Sequence, residues 1–370
     1  MAPQVTQMGA DLWLSWLVPR PDGGHRLGAA RMGSGAWEPA ILVTEGTDLL
    51  ANWADVPSLI PLPGGAMAAQ WLVSAGKGHD SYSIEIASAD PGGRDWRRLG
   101  APHKDDGPGE HGFVSSVLES PSARLFWLDG RLLAGGQEEH DGGAMQLRTA
   151  VLTRHAIGPE SILDGDVCTC CPTSAVMGAG GPVVFYRDHA PGEIRDIAFV
   201  RWTASGWSDP AALHDDGWEV PGCPVNGPVA AASGDGSTIA VAWFTAPGNM
   251  PRVRAAFSRD GGASFTSPLE IDADRPHGRP GIVLTGDAEA VVIWMASGGA
   301  DHAEIRMRRI NAEGRMGEPL LAGRTRPGRS SGIPRLASAG SDLLAVWTQT
   351  EFPAGLRAAL VPGAAVPAIN

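Results

Sequence analysis

Short apolar runs closing on an aromatic residue recur seven times along the chain: Leu12-Trp-Leu-Ser-Trp16, Ala68-Ala-Gln-Trp71, Arg124-Leu-Phe-Trp127, Val183-Val-Phe-Tyr186, Ala240-Val-Ala-Trp243, Val291-Val-Ile-Trp294 and Leu344-Ala-Val-Trp347. They stand about fifty to sixty residues apart, a period that predicts a β-propeller. Each unit reads as four strands. A Pro- or Gly-led first strand precedes the aromatic second. An alternating third follows, as in Ser83-Ile-Glu-Ile-Ala87 and Val253-Arg-Ala-Ala-Phe257. The fourth opens on Trp37-Glu-Pro, Trp207-Ser-Asp-Pro or Phe265-Thr-Ser-Pro. The pattern predicts an all-β chain, one propeller domain over residues 1–370. Seven blades are favoured, the last closed by a terminal strand. The alternative is six blades, one of them assembled from both chain ends.

Composition agrees with a turn-rich β protein: 50 Gly, 30 Pro and 13 Trp, with 19% charged residues. A net charge of -12 argues against a nucleic-acid partner, which needs basic patches. No apolar run is long enough to insert in a membrane. Met1-Ala-Pro-Gln-Val lacks the basic and apolar regions of a signal peptide, so the expectation is a cytoplasmic protein, or a periplasmic or secreted one after signal removal. A small-molecule substrate is the expected partner.

The candidate chemistry falls in the loops that lead into first strands, which gather on one face of a propeller. All four cysteines lie in two of them, Cys168-Thr-Cys170-Cys171 and Gly222-Cys223-Pro. Thiolates that converge are soft metal ligands or a disulfide knot. The metal reading places zinc or copper on Cys168, Cys170, Cys171 and Cys223, with His111 or His103 completing the shell. Glu110 or Asp105 is then the base or an orienting group. The alternative pairs Cys171 with Cys223 and Cys168 with Cys170 as disulfides and needs no metal. A third arrangement turns oxygens of Asn52, Asp55, Glu110 and Asn226 onto calcium.

An open Cys/His-ligated ion at the channel mouth leads to the expectation of a metal-dependent hydrolase of ester-type substrates, carboxylate or phosphate, with promiscuous phosphotriesterase activity. Glu110, His111, Asp105, Arg187 and Tyr186 are its candidate catalytic residues. Asn52, Asp55, Arg195, Arg275, Arg279 and Asn226 are candidates for holding substrate, with the arginines, Arg131 among them, placed to meet negative charge. A non-enzymatic copper-binding propeller is the second expectation.

Ser258-Arg-Asp260-Gly-Gly262-Ala-Ser-Phe265, with a looser copy from Ser88 to Trp96, resembles the Asp-box (BNR) repeat of sialidase-like propellers. Its physics is that of a turn: Asp caps amides, Gly supplies positive φ and the aromatic ring packs between blades. The whole chain is similar to the bacterial group labelled exo-α-sialidase that carries a Cys-x-Cys-Cys loop. That resemblance implies a third expectation, a sialidase-like glycoside hydrolase or a glycan-binding module with structural disulfides. The resemblance also implies an Arg-Ile-Pro start, three arginines, an acidic Asp and a Tyr-Glu pair. The chain has no Arg-Ile-Pro near its start, and its two tyrosines are Tyr82 and Tyr186, the latter near Arg187, Asp188, Glu193 and Arg195.

Overall fold

The computed structural model describes residues 3–33, 35–75, 81–105, 109–133, 143–286 and 288–369. The protein is an all-β, seven-bladed β-propeller, as the seven aromatic runs predict. It divides into two compact units, Met1–Cys170 with three blades and Cys171–Asn370 with four. Strands follow chain order within the blades and pair antiparallel, and in the first and fourth blades the outer edge is split into two short strands that both pair with the third.

In the first unit the second blade is Ser58–Pro61, Met67–Ser74, Tyr82–Ala89 and Arg97–Gly100. The third is His111–Glu119, Ser122–Asp129, Met145–Leu152 and Ser161–Val167. In the second unit the fifth blade starts at Val229–Ala232 and the sixth at Gly278–Gly286. All seven aromatic runs are second strands. Such strands are packed on both faces, which is why they read as continuous apolar runs: every residue of Ile239–Thr245 is buried. The cores lie between successive blades, for example Leu72, Ile84 and Trp127 in the first unit and Phe257, Trp294 and Ile310 in the second.

Among the described residues the expected terminal closing strand is not found. Among the described residues the seventh blade has three strands, Arg335–Ala339, Asp342–Gln349 and Gly355–Pro362, and a short 3-10 turn follows them.

Several second-strand tryptophans are anchored by carboxylates. Trp127, Trp243 and Trp294 donate their indole N–H to Asp129 (2.9 Å), Asp216 (2.7 Å) and Asp272 (2.6 Å). A buried indole N–H left dry would be costly, so each carboxylate fixes the indole of its second strand. In the Ser258–Phe265 turn, Asp260 accepts the amides of Ala263 (3.0 Å) and Ser264 (2.9 Å), and Phe265 packs edge-on against Phe185 and Phe199. Burial works against its charge, but these bonds and the Ser264 hydroxyl hold the Asp260 carboxyl down at about 2.

Candidate active site

Asp55 lies in the loop before the second blade. Asn52 Oδ1 accepts the amides of Ala54 (3.0 Å) and Asp55 (3.3 Å), a turn that points the Asp55 side chain inward. The Asp55 carboxylate, 3% exposed, accepts the Phe113 amide on Oδ2 at 2.7 Å. Phe113 has φ 54 and sits where the register of the third blade's first strand slips, between Gly112 and Ser115. The bulge turns its N–H out of the ladder and toward the loop. Gly112 makes the approach possible, because a Cβ there would fall 1.9 Å from Asp55 Oδ2 and 3.2 Å from the Tyr82 ring. Tyr82 pairs through its backbone with Glu110 in an isolated parallel β-bridge. Burial pushes the Asp55 carboxyl up to about 7; the Phe113 amide opposes this and the charge of Glu110 adds to it. The Asp55 carboxyl and the Tyr82 ring thus close on Gly112, with Glu110 near enough for its charge to act on Asp55.

The second unit repeats the device with different chemistry. Asn226 stands three residues before the fifth blade, as Asp55 stands three before the second. Its Oδ1 accepts the Arg279 amide at 2.6 Å. Arg279 has φ 55 at a bulge between Gly278 and Gly281. The sequence carries the repeat as Asp55-Val-Pro57 with His111-Gly-Phe113, and Asn226-Gly-Pro228 with His277-Gly-Arg279. A neutral amide therefore suffices for the architecture. The ionisable group at Asp55 is an addition.

Beside the pair lies a second cluster. His103 Nδ1 is 3.0 Å and His111 Nε2 is 3.1 Å from the same Asp105 oxygen, Oδ1. The two rings stack with centroids 3.8 Å apart. Burial, reinforced by His111, pushes His103 below its ordinary value, so its neutral form is favoured. Asp129 Oδ1 approaches His111 Nε2 at 3.5 Å and is held by Arg131 at 2.6 Å. Burial alone would raise Asp129, but Arg131, His111 and Trp127 together hold it at about 2. Arg131 also forks onto Glu160, at 3.0 and 2.7 Å. Residues 106–108 of the loop between the two histidines, Asp106 included, lie outside the described residues.

The cysteines group otherwise than a single Cys/His shell requires. Ligand atoms of Cys168, Cys170 and Cys171 lie within 4.8 Å of one another, and those of His103, Asp105 and His111 form a separate set. Cys223 is exposed and stands outside both. No disulfide links the four cysteines, the Cys168 and Cys170 sulfurs standing 3.9 Å apart, so neither expected pairing is formed. Loop conformation, which spacing does not encode, separates thiols from imidazoles.

Several residues expected at the chemistry are buried or bonded to backbone carbonyls and neighbouring side chains. Arg187, 1% exposed, donates to the carbonyls of Asn226 (2.6 Å), Arg195 (2.5 Å) and Phe244 (2.7 Å) and stacks over Trp218. Tyr186 is fully buried in its strand. Arg195 is fully buried and bonds Glu193 at 2.7 Å. Arg279 donates to the carbonyls of Gly328 (2.9 Å) and Gly332 (2.7 Å). Burial, with Arg329 nearby, lowers its pKa to about 10. Arg275 is exposed, at φ 48. Sequence reading passed over Tyr82 as a partner of Glu110. Its position at the start of a third strand, one turn from the loop, was the available signal.

No family model and no curated protein matches the chain. Among solved structures, an ulvan lyase described as a new family of polysaccharide lyase superposes with TM-score 0.61 at 11% identity, over 97% of this chain and 91% of that one. A Penicillium chrysogenum α-L-arabinanase complexed with arabinobiose gives 0.54 at 11%, over 99% and 94%. A Fusarium graminearum α-L-arabinofuranosidase with an iminosugar inhibitor gives 0.56 at 12%, over 99% and 93%. At such identities the likeness is one of fold. What is shared is the β-propeller fold, which this chain has in common with these carbohydrate-active propellers.

Proposed function

We propose that the protein is a glycan-cleaving enzyme in which Asp55 is the proton donor and Glu110 its carboxylate partner. The observation that carries this is the buried Asp55 carboxyl, raised to about 7 beside charged Glu110 where the equivalent loop of the second unit manages with Asn226. Glycosidic cleavage asks for two carboxyl groups in unlike environments, one kept protonated to give its proton to the leaving oxygen and one ionised to activate water or stabilise the sugar cation. Asp55 has the first environment and half-buried Glu110 the second. The Tyr82 ring and the Asp55 carboxyl both approach Gly112, two residues along the chain from Glu110, and on this reading Asp55, Glu110 and Tyr82 would take the Asp, Glu and Tyr roles that the sialidase-like resemblance implies, Tyr186 being fully buried. The propeller neighbours named above act on or bind carbohydrate, which supports a glycan over an ester substrate.

The test is release of oligosaccharide ends from a panel of arabinans, uronate polysaccharides and sialosides by the wild-type chain and by Asp55→Asn. The account expects cleavage of at least one by the wild type and a loss of at least about a hundredfold in the variant. Full activity in Asp55→Asn overturns it, as does a wild type inert on the whole panel.

A further inference from the structure

We propose that His103, Asp105 and His111 form a binding site for one divalent cation of zinc type, independent of the cysteines. Two imidazole nitrogens and one carboxylate oxygen converge here, the donor set that suits a borderline ion with an open fourth position. Four ligands at zinc distances of about 2.0–2.1 Å sit about 3.3 Å from each other at the corners of a tetrahedron. His103 Nδ1 and His111 Nε2 are 3.0 and 3.1 Å from Asp105 Oδ1, close to such an edge.

Two further observations point to a ligand. The other Asp105 oxygen, Oδ2, is buried with no hydrogen-bond partner among the described residues, while both ring nitrogens crowd onto Oδ1. A carboxylate satisfied by hydrogen bonds alone spreads its donors over both oxygens. His103 is also held from behind: Ser83 Oγ lies 2.8 Å from its Nε2, which fixes the ring and leaves Nδ1 to the ion. The surrounding charge fits. Asp105, Asp129, Glu160 and Glu110 are set against Arg131 and Arg148, an excess of two negative charges that a divalent cation neutralises. His111 adjoins Glu110 in the chain, so the ion fixes the strand end that carries that carboxylate.

Cobalt(II) titration of the full chain separates this site from the thiols, because thiolate ligation gives an intense near-ultraviolet charge-transfer band and nitrogen and oxygen ligation does not. The expected result is one equivalent bound with d–d bands and no thiolate band, abolished in Asp105→Asn and weakened about 10- to 100-fold in Ser83→Ala. Thermal melting of the metal-free variants establishes that they are folded. No stoichiometric cobalt in the wild type overturns the proposal, as does a cobalt spectrum dominated by thiolate and unchanged by Asp105→Asn. The readout is binding, so it stands or falls apart from the glycan-cleavage reading.

Discussion

The Asp55 carboxylate accepts the Phe113 amide at 2.7 Å, in the same geometry in which Asn226 accepts the Arg279 amide at 2.6 Å. One bulge cap is written twice, once with an amide and once with an acid. The comparison within a single chain separates what the fold needs, an acceptor oxygen, from what a reaction needs, a proton. It also makes Asp55→Asn an unusually clean substitution, since the resulting side chain already serves at the equivalent position.

Asp55→Asn is therefore expected to fold and to be more stable than the wild type at pH 8. The folded-state carboxyl at about 7 lies above its ordinary value of 3.8, so the native protein holds a proton that the unfolded chain gives up first. The Asp55 contribution to wild-type stability falls as pH rises from about 4 to 7, by on the order of 2–4 kcal/mol. The variant lacks that decline. Chemical denaturation of both proteins from pH 4 to 8 measures it; parallel curves would remove the buried acid from the account.

Turnover should require protonated Asp55 and so decline as pH rises through about 7. Glu110→Gln removes the charge that helps raise Asp55. The alkaline limb of its residual activity should move to lower pH, while the rate drops about a hundredfold or more. A limb that stays in place in Glu110→Gln indicates that the two carboxyl groups do not interact.

Gly112→Ala would put a Cβ 1.9 Å from Asp55 Oδ2, so the carboxylate must swing off the Phe113 amide. Loss of activity together with roughly 1–3 kcal/mol of destabilisation is expected. Gly165→Ala is the control, because nothing lies within 4 Å of the added atom. Equal effects from the two substitutions contradict the close approach.

Arg187→Met removes the donors to three buried or half-buried carbonyls and should cost roughly 3 kcal/mol or more, with turnover per folded molecule unchanged. Melting temperature and active-site-normalised rate distinguish this from a catalytic arginine, whose loss would leave melting nearly intact.

The blades were legible in the sequence because a second strand packed on both faces has to be apolar throughout; the Trp243 and Trp294 runs announce themselves. The missing terminal strand was not legible, since three strands and four share the same aromatic run. Loop chemistry was read less well. Arg187 and Arg279 look like substrate arginines in one dimension, and only coordinates show them spent on backbone carbonyls. Cysteine clustering drew His103 and His111 into a shared shell, whereas the pairing of His103 with Asp105 and Ser83 depends on how a loop returns to a strand. The most useful signal was present in the letters: the twice-written Asx-x-Pro and His-Gly-x pair, differing at the one residue able to ionise.

The measurement closest to the centre of this account is a carbon-13 NMR titration of carboxyl-labelled protein, with the Asp55 resonance assigned by its disappearance in Asp55→Asn. A midpoint near 7 is expected, moving modestly lower when Glu110 is replaced by Gln, because burial is the larger cause of the shift. A midpoint near 4 in the wild type would leave Asp55 as another bulge cap and withdraw its role as proton donor.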